Sequence, residues 1–286
     1  MDIFFRNFWA NLSYWAKEFF GLHVVDGNCE FLRDADGYMS WQHLTFVTSL
    51  MIIMTAAAIL LGLHFKKKDM AERNKVLVWS AILINAFELI KIITCCLRAD
   101  AGDISPITKN LPLFLCSIQL IAIPLAAFAK GRLKNAALDF VFIFGILGAI
   151  MGTYFAGQNY GSYPVLSFVN VISGITHSIS GFASLYIVIS KMASMKKRNI
   201  WITFSILTGF CVAAYIANVT IDYNYMFLMA GDGTPYDIIF NLVGGHPVIY
   251  PFLVWAIFII YITAFYFIYF FFRVMKQKRL ARLGKA

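Results

Sequence analysis

Long apolar runs alternate with short polar segments along most of the chain. Seven runs of 19 or more residues cover approximately 43–63, 76–97, 111–129, 136–154, 165–189, 200–221 and 248–272. At about 1.5 Å per residue, about 20 helical residues cross a hydrocarbon core of about 30 Å. Because lipid offers the backbone no hydrogen-bond partners, runs this continuous are expected to be helices. The pattern predicts an all-α polytopic membrane bundle with seven transmembrane helices.

The first 40 residues have a different pattern. In residues 1–21, aromatic side chains recur at helical spacing, but Asn7, Asn11 and Lys17 fall among them. This stretch is too polar to span and lacks the basic start and apolar core of a signal peptide. It predicts an amphipathic interfacial helix, followed by an acidic extracytoplasmic segment. The predicted organisation is therefore 1–40 for this unit, 41–273 for the seven-helix transmembrane domain and 274–286 for a basic cytoplasmic tail.

The distribution of charge predicts how the bundle is oriented. Eighteen of the 24 Lys and Arg residues lie on one side of the runs, in 64–75, 130–135, 190–199 and the tail from 273. Basic residues concentrate in cytoplasmic loops, so the N-terminus is predicted to lie outside the cell membrane and the C-terminus in the cytoplasm. The net charge of +9 is then a topology signal and gives no indication of nucleic-acid binding.

Composition supports the membrane class and narrows the chemistry. Hydrophobic residues make up 60% of the chain and charged residues 14%, whereas a soluble domain carries about 25% charged residues. None of the five cysteines forms a CxxC pair, so the sequence predicts no metal and no cofactor. Cys29 can pair with Cys95 or Cys96 near the predicted outer face.

Polar groups inside the apolar runs are candidates for function, because burying them in lipid is costly. Counted at about 1.5 Å per residue from the outer ends of the runs, they lie roughly 5 to 18 Å deep. The inner halves carry little beyond Ser and Thr, apart from Asp139. This asymmetry predicts a polar cavity open toward the outside or the outer leaflet. Its candidate residues are Asn85, Glu88, Lys91, Cys116, Gln119, Asn170, Ser173, His177, Asn218 and Asn224.

Two of these groups also have purely structural interpretations. His177 shares one helix face with a series of Gly and Ser residues, which can be a packing seam in which the histidine makes one interhelical hydrogen bond. Glu88 and Lys91 are three residues apart and can form an ion pair that neutralises itself. Alternatively, Glu88 orients another polar group across the bundle.

Several short motifs resemble those of the YwaF-type bacterial integral membrane proteins. LPLFLCSIQL (111–120) is similar to that family's LP-x-x-x-C segment, and GITHS around His177 to its mid-chain histidine. The stretches 218–235 and 244–250 resemble its Asn-Tyr-Met signature before the last helix, and SWQHL (40–44) resembles the start of its first helix. The resemblance spans about residues 40–270.

The resemblance implies a function. The animal relatives of that family are multi-spanning acyltransferases that remodel ether phospholipids, with the motif cysteine as nucleophile and the histidine as its partner. By position these are Cys116 and His177, and the implied partner is a membrane lipid. Phe114 departs from the histidine that many relatives carry in the cysteine motif, and Asp222 and Tyr223 depart from a signature that is often smaller and more polar.

The chemistry of the residues is compatible with that role. A thiol reacts as the thiolate, and a neighbouring histidine can take its proton. Gln119, one turn from Cys116, can donate to an oxyanion. The predicted depths of Cys116 and His177 differ by roughly 5–10 Å, which a helix tilt of about 20° or unwinding at Pro112 would close.

An alternative is a transporter or ligand-binding membrane protein that uses the same cavity without covalent chemistry. A retinal protein is disfavoured because the last run, 248–272, has no Lys for a Schiff base. The oligomeric state has no signature in the sequence.

Overall fold

The computed structural model describes residues 14–25, 28–100, 103–193 and 195–282. Within these ranges a two-stranded antiparallel sheet joins β1 (His23–Val25) to β2 (Asn28–Glu30), and all other regular elements are helical. Single 3₁₀ turns occupy Lys197–Asn199 and Tyr225–Phe227. The α-helices are α1 Tyr14–Phe20, α2 Trp41–Phe65, α3 Met70–Arg98, α4 Ser105–Thr108, α5 Gln119–Phe128, α6 Gly131–Met151, α7 Gly157–Ser162, α8 Phe168–Ile189, α9 Ile200–Ile221, α10 Tyr236–Leu242 and α11 Ile249–Arg282.

Six of the described helices, α2, α3, α6, α8, α9 and α11, are long and apolar enough to cross a membrane. Side-chain caps define where the first two begin. The Ser40 hydroxyl accepts from the His43 N–H at the start of α2, and the Asp69 carboxylate accepts from the Glu72 N–H at the start of α3. The prediction of an all-α multi-pass membrane protein is confirmed.

The third predicted run does not form one continuous helix. Of residues 111–129, only Gln119–Phe128 is helical, and ten residues reach about 15 Å, half the hydrocarbon core. Residues 109–118 form turns, in which the Ser117 hydroxyl accepts from the Phe114 N–H at 3.1 Å. Seven full-length spanning helices are therefore not confirmed, because the segment before α5 uses local side-chain and proline geometry in place of helical bonds.

Two hydrogen bonds locate α5 against α3. Asn74 donates to the Ala127 carbonyl at 2.9 Å, and Asn85 donates to the Leu120 carbonyl at 3.0 Å. The two helices therefore run antiparallel, and α5 begins level with the middle of α3. Pro124 has no N–H, so the Leu120 carbonyl lacks its helical donor and Asn85 replaces it.

The most buried spanning helices, α6 and α8, pack together at the centre of the bundle. Small residues allow the approach. A Cβ on Gly145 would lie 2.7 Å from the Ser180 carbonyl oxygen, and the Ser180 hydroxyl donates to the Gly145 carbonyl at 3.1 Å. Gly181 is similarly close to Ala149. The small residues on the polar face of α8 thus form the packing seam that the sequence allowed.

A buried carboxylate ties the predicted inner end of the bundle together. Asp139 on α6 is completely buried. It accepts from the Met195 N–H at 2.9 Å, from the Asn199 amide at 2.8 Å and from the Tyr266 hydroxyl at 3.2 Å. These donors come from the segment before α9 and from α11, so one side chain joins three elements.

The N-terminal unit docks on the other end of the bundle. The buried Glu18 carboxylate of α1 accepts from the N–H groups of Leu32 and Arg33, and Phe20 packs on Phe168 with ring centroids 5.0 Å apart. Residues 1–13 lie outside the described residues, so the predicted interfacial helix is not confirmed. The suggested disulfide is wrong: Cys29 and the other four cysteines are free thiols.

Candidate functional site

Cys116 lies in the turns just before α5, against α6. A Cβ on Gly148 would be 3.4 Å from the Cys116 Cα, so this glycine allows the two backbones to approach closely. The N–H groups of Cys116 and Ser117 interact with the Cys116 sulfur. N–H groups at a helix start favour negative charge nearby. The cysteine is half-buried, so burial disfavours its thiolate and these N–H groups offset only part of that cost.

His177 on α8 approaches the next turn of α6. The ring is half-buried and occupies the space that a Cβ on Gly152 would take. Gly148 and Gly152 are four residues apart, so Cys116 and His177 lie against successive turns of one helix face, about 6 Å apart along its axis. The unwinding before α5 thus brings the two residues to neighbouring levels. No hydrogen bond joins their side chains in the described part of the chain.

Glu88 and Lys91 form the ion pair that their spacing predicts. The Lys91 Nζ is 2.7 Å from the Glu88 carboxylate, and the side chains are 12% and 11% exposed. The Lys91 ammonium also interacts electrostatically with the Cys116 thiol and with the His177 ring. The self-neutralising interpretation is confirmed for the pair, which lies within electrostatic range of both predicted site residues.

Gln119 is the most unusual polar group near Cys116. It is completely buried in the first turn of α5, one turn after the cysteine. Neither its Nε2 nor its Oε1 has a hydrogen-bond partner. Leaving a buried polar group unpaired costs about 1–3 kcal/mol, so an amide with both ends unpaired is the feature of a ligand-binding group more than of a structural one.

Asn170 and Ser173, two other candidate residues on α8, have different surroundings. The Asn170 amide donates to the carbonyls of Pro164 and Tyr163 at 3.0 and 3.2 Å, so it anchors the loop that precedes α8. Ser173 is buried one turn before His177, on the same face. Asn170, like Asn85, therefore binds backbone carbonyls. The predicted depth in the membrane could not distinguish such structural residues from residues of the site.

Asn218 and Asn224 organise the loop after α9. Asn218 accepts from the Tyr225 N–H at 2.6 Å and donates to the Tyr225 carbonyl at 3.0 Å. Asn224 donates to the Ala230 carbonyl and to Asp232 at 2.8 and 2.6 Å. Met226, within this loop, has a left-handed φ of 56°, a strained conformation that such bonds can hold.

This loop packs against the cysteine segment, which sequence reasoning did not predict. The Phe114 ring centroid lies 5.3 Å from that of Tyr225 and 6.1 Å from that of Tyr223. Burial raises the pKa of Tyr225, so its hydroxyl remains protonated and donates to the Thr108 carbonyl. The motif segments 111–120 and 218–235 therefore pack against each other. The aromatic residues in both segments were the sequence signal from which this contact could have been predicted.

Two surface depressions lie near the N-terminal unit, and neither includes Cys116. The larger, of about 320 Å³, is lined by residues from β2, the end of α3 and the loop before α8. The smaller, of about 220 Å³, includes Trp15 and Leu166. Among the described residues, no three His, Cys, Asp or Glu side chains gather as a metal site would require.

Comparison with known proteins identifies the family. No curated protein and no solved structure matches the chain. A family model matches residues 38–274, a range that contains the first five spanning helices, α11 as far as residue 274, the cysteine segment and the loop packed on it. On this match the chain belongs to the TMEM164 family, a family of membrane proteins.

Proposed function

We propose that this protein is a lipid acyltransferase in which Cys116 carries the acyl group and His177 transfers protons. The observation that carries the proposal is the buried, unpartnered amide of Gln119, one turn from a cysteine at a helix start. Such an amide can donate to the oxygen of an ester under attack. The approach of His177 to the same face of α6 supports the assignment, as does the resemblance of the motifs to the YwaF-type family, whose animal relatives are acyltransferases.

In the first half-reaction, His177 takes the Cys116 proton and the thiolate attacks the carbonyl carbon of a phospholipid ester. The Gln119 Nε2 donates to the oxyanion that forms. When the intermediate collapses, the ester C–O bond breaks and the imidazolium gives its proton to the departing glycerol oxygen. The products are a lysophospholipid and a thioester on Cys116.

The second half-reaction regenerates the thiol. A lysophospholipid hydroxyl gives its proton to His177 and attacks the thioester, and the C–S bond breaks. The sulfur then takes the proton back from the imidazolium. The sulfur and the ring lie about one helical turn apart along α6, and catalytic hydrogen bonds that are long without substrate shorten when it binds.

The topology proposed with this function has seven crossings in the cell membrane. Residues 111–129 form the third, as a turn segment followed by the half-length helix α5. Backbone that is not helical is tolerated at this depth where protein or a polar cavity surrounds it. The N-terminus is outside and the C-terminus in the cytoplasm, so Cys116 faces the outer leaflet. Residues 1–40, 41–273 and 274–286 are the interfacial, transmembrane and tail units.

Single-cysteine probes test this topology. Positions in 155–164 and 225–245 should react with an impermeant reagent from outside, and positions in 66–74 and 276–285 should not. Reaction of both groups from the same side would contradict the seven-crossing arrangement.

Acyl-chain exchange on phospholipid, measured with purified protein in nanodiscs, tests the enzyme. Cys116→Ala should fold and lose transfer, and Cys116→Ser should be severely impaired because a hydroxyl is harder to deprotonate in lipid. His177→Ala should lose turnover and retain slow labelling of Cys116 by an acyl-directed electrophile. Unchanged turnover in folded Cys116→Ala would rule the mechanism out. Binding or transport without labelling of Cys116 would favour the transporter.

A further inference from the structure

The larger surface depression is unusually rich in charge. It is lined by two arginines and two carboxylates, together with Phe31 and Tyr163. Arg33 and Arg98 are the cations, and Glu30 and Asp34, both exposed, are the anions. The depression lies where α3 ends, at the end of the bundle predicted to be outside.

Arg98 is held in a fixed position in this depression. Its guanidinium carbon lies 4.8 Å from the centre of the Phe31 ring. Its Nε is buried and has no hydrogen-bond partner. A stacked guanidinium presents its N–H groups in a rigid fork that matches the oxygens of a phosphate. The buried, unpaired Nε is a donor available to such an anion.

The second arginine can add to the same site. The Arg33 Nη2 is 3.5 Å from the Asp36 carboxylate, which is long for a charge-assisted hydrogen bond. Its side chain is 49% exposed, so it can turn toward a ligand in the depression at little cost.

The position of the depression along the axis of α3 can be related to that of Cys116. Arg98, Cys95 and Lys91 follow one face of α3 at spacings of three and four residues, and Cys95 interacts electrostatically with both cations. Arg98 therefore lies about 10 Å along the helix from Lys91, which interacts with Cys116. The headgroup layer of one leaflet is about 5–8 Å thick. A phosphate on Arg98 therefore puts the ester bonds of the same lipid near the level of the cysteine.

The two carboxylates indicate what kind of headgroup fits. With two cations and two anions, the depression is neutral and disfavours a polyanion. A zwitterionic headgroup matches it, since its phosphate pairs with the guanidinium groups and its ammonium with the carboxylates.

We infer that this depression binds the zwitterionic headgroup of a membrane phospholipid, with Arg98 as the main phosphate ligand and Arg33 as a second one. The role of the site rests on the proposed acyltransferase function, because it positions the substrate ester at Cys116. The binding itself does not require turnover and can be measured separately.

Binding of tritiated dihexanoyl phosphatidylcholine to the full-length purified protein in detergent tests the inference. Arg98→Met should weaken binding at least tenfold. Arg98→Lys keeps the charge but loses the planar guanidinium, and with it the fork and the stacking on Phe31, so it should weaken binding several-fold. Arg33→Gln should also weaken binding several-fold. Because Arg33 is exposed, this substitution should not affect folding. Lys109→Gln removes an exposed cation outside the depression and should leave binding unchanged.

Two competitors distinguish the source of the phosphate. Dihexanoylglycerol, which has no headgroup, should compete poorly, and inorganic phosphate should compete only weakly and through Arg98. Inorganic phosphate that binds as tightly as the lipid would overturn the headgroup assignment. Unchanged lipid binding in both Arg98→Lys and Arg33→Gln would overturn the site.

The outcomes separate this inference from the proposed function. Binding that depends on Arg98, together with full turnover in Cys116→Ala, would support the headgroup site and overturn the acyltransferase. Binding that is independent of Arg98, with an inactive Cys116→Ala, would do the reverse.

Discussion

Two buried polar side chains, one at the predicted inner end of the bundle and one near its middle, differ in how many hydrogen-bond partners they have. Asp139, at the predicted inner end, is completely buried and accepts from the Met195 backbone, the Asn199 amide and the Tyr266 hydroxyl. Gln119, near Cys116, is equally buried and has no partner at either end of its amide. Asp139 and Gln119 are therefore equally buried, but only Asp139 has hydrogen-bond donors around it.

The difference separates structure from function better than depth does. A buried charge with its donors in place holds the elements that supply them. A buried amide without partners contributes nothing to the fold and retains its capacity to bind a ligand. By this criterion Asn85, Asn218 and Asn224 belong with Asp139, and Gln119 belongs with the proposed site. Asn170 is intermediate, because its Nδ2 has partners and its buried Oδ1 has none.

The largest expected effect is at Asp139. Asp139→Ala leaves several buried donors without an acceptor, at about 1–3 kcal/mol each, so the free energy of unfolding should fall by about 3–5 kcal/mol. Asp139→Asn, which keeps one acceptor oxygen, should lose less. Thermal unfolding in detergent measures both. A loss below about 1 kcal/mol would show that the network contributes no more than an ordinary hydrogen bond. Asp139 could then no longer serve as the structural contrast to Gln119.

The next effect concerns the loop that packs on the cysteine segment. Asn218→Ala removes two hydrogen bonds to Tyr225, each worth about 0.5–1.5 kcal/mol, so a loss of about 2 kcal/mol is expected. Limited proteolysis should then cut within 222–235 before the bundle unfolds. Thr220→Ala is the control, because its exposed hydroxyl bonds only within α9. Equal proteolysis of the two variants would show that Asn218 does not hold the loop.

The sequence predicted the parts of this molecule that depend on local pattern. Hydrophobic run length gives six of the spanning helices, and three-residue spacing gives the Glu88–Lys91 pair. Unwinding at Pro112 was one way that the sequence offered to close the gap between Cys116 and His177. The position of α5 against α3 could not be predicted, because the Asn85 bond to Leu120 joins residues 35 positions apart. For the same reason the run 200–221 placed Asn218 near its predicted outer end but did not predict that its partner is the Tyr225 backbone.

Gln119→Leu should act in the direction opposite to Asp139→Ala. Replacing an unpaired buried amide by an apolar group of similar size removes a desolvation cost, so the protein should become more stable by about 1–2 kcal/mol. Loss of an oxyanion donor should lower acyl transfer about 10²-fold. The measurements are thermal unfolding and acyl-chain exchange on the same preparation. A destabilised variant would show that Gln119 has a structural partner and belongs with Asp139.

The smallest net effect on stability is expected at Glu88 and Lys91. This pair is intermediate between Asp139, which has several partners, and Gln119, which has none. Each group is partnered by the other, and about a tenth of each side chain is exposed. Lys91→Met leaves the Glu88 carboxylate without its counter-charge, so it should cost about 1 kcal/mol or more. Glu88→Gln combined with Lys91→Met removes both charges and should restore most of that loss. Turnover should not recover with stability, because the double variant still lacks the ammonium that interacts with Cys116 and His177. A double-mutant cycle of unfolding free energies, with turnover measured for each variant, makes the distinction. Additive losses in stability would show that the two residues act separately, and turnover that recovers with stability would show that the pair is structural, like Asp139.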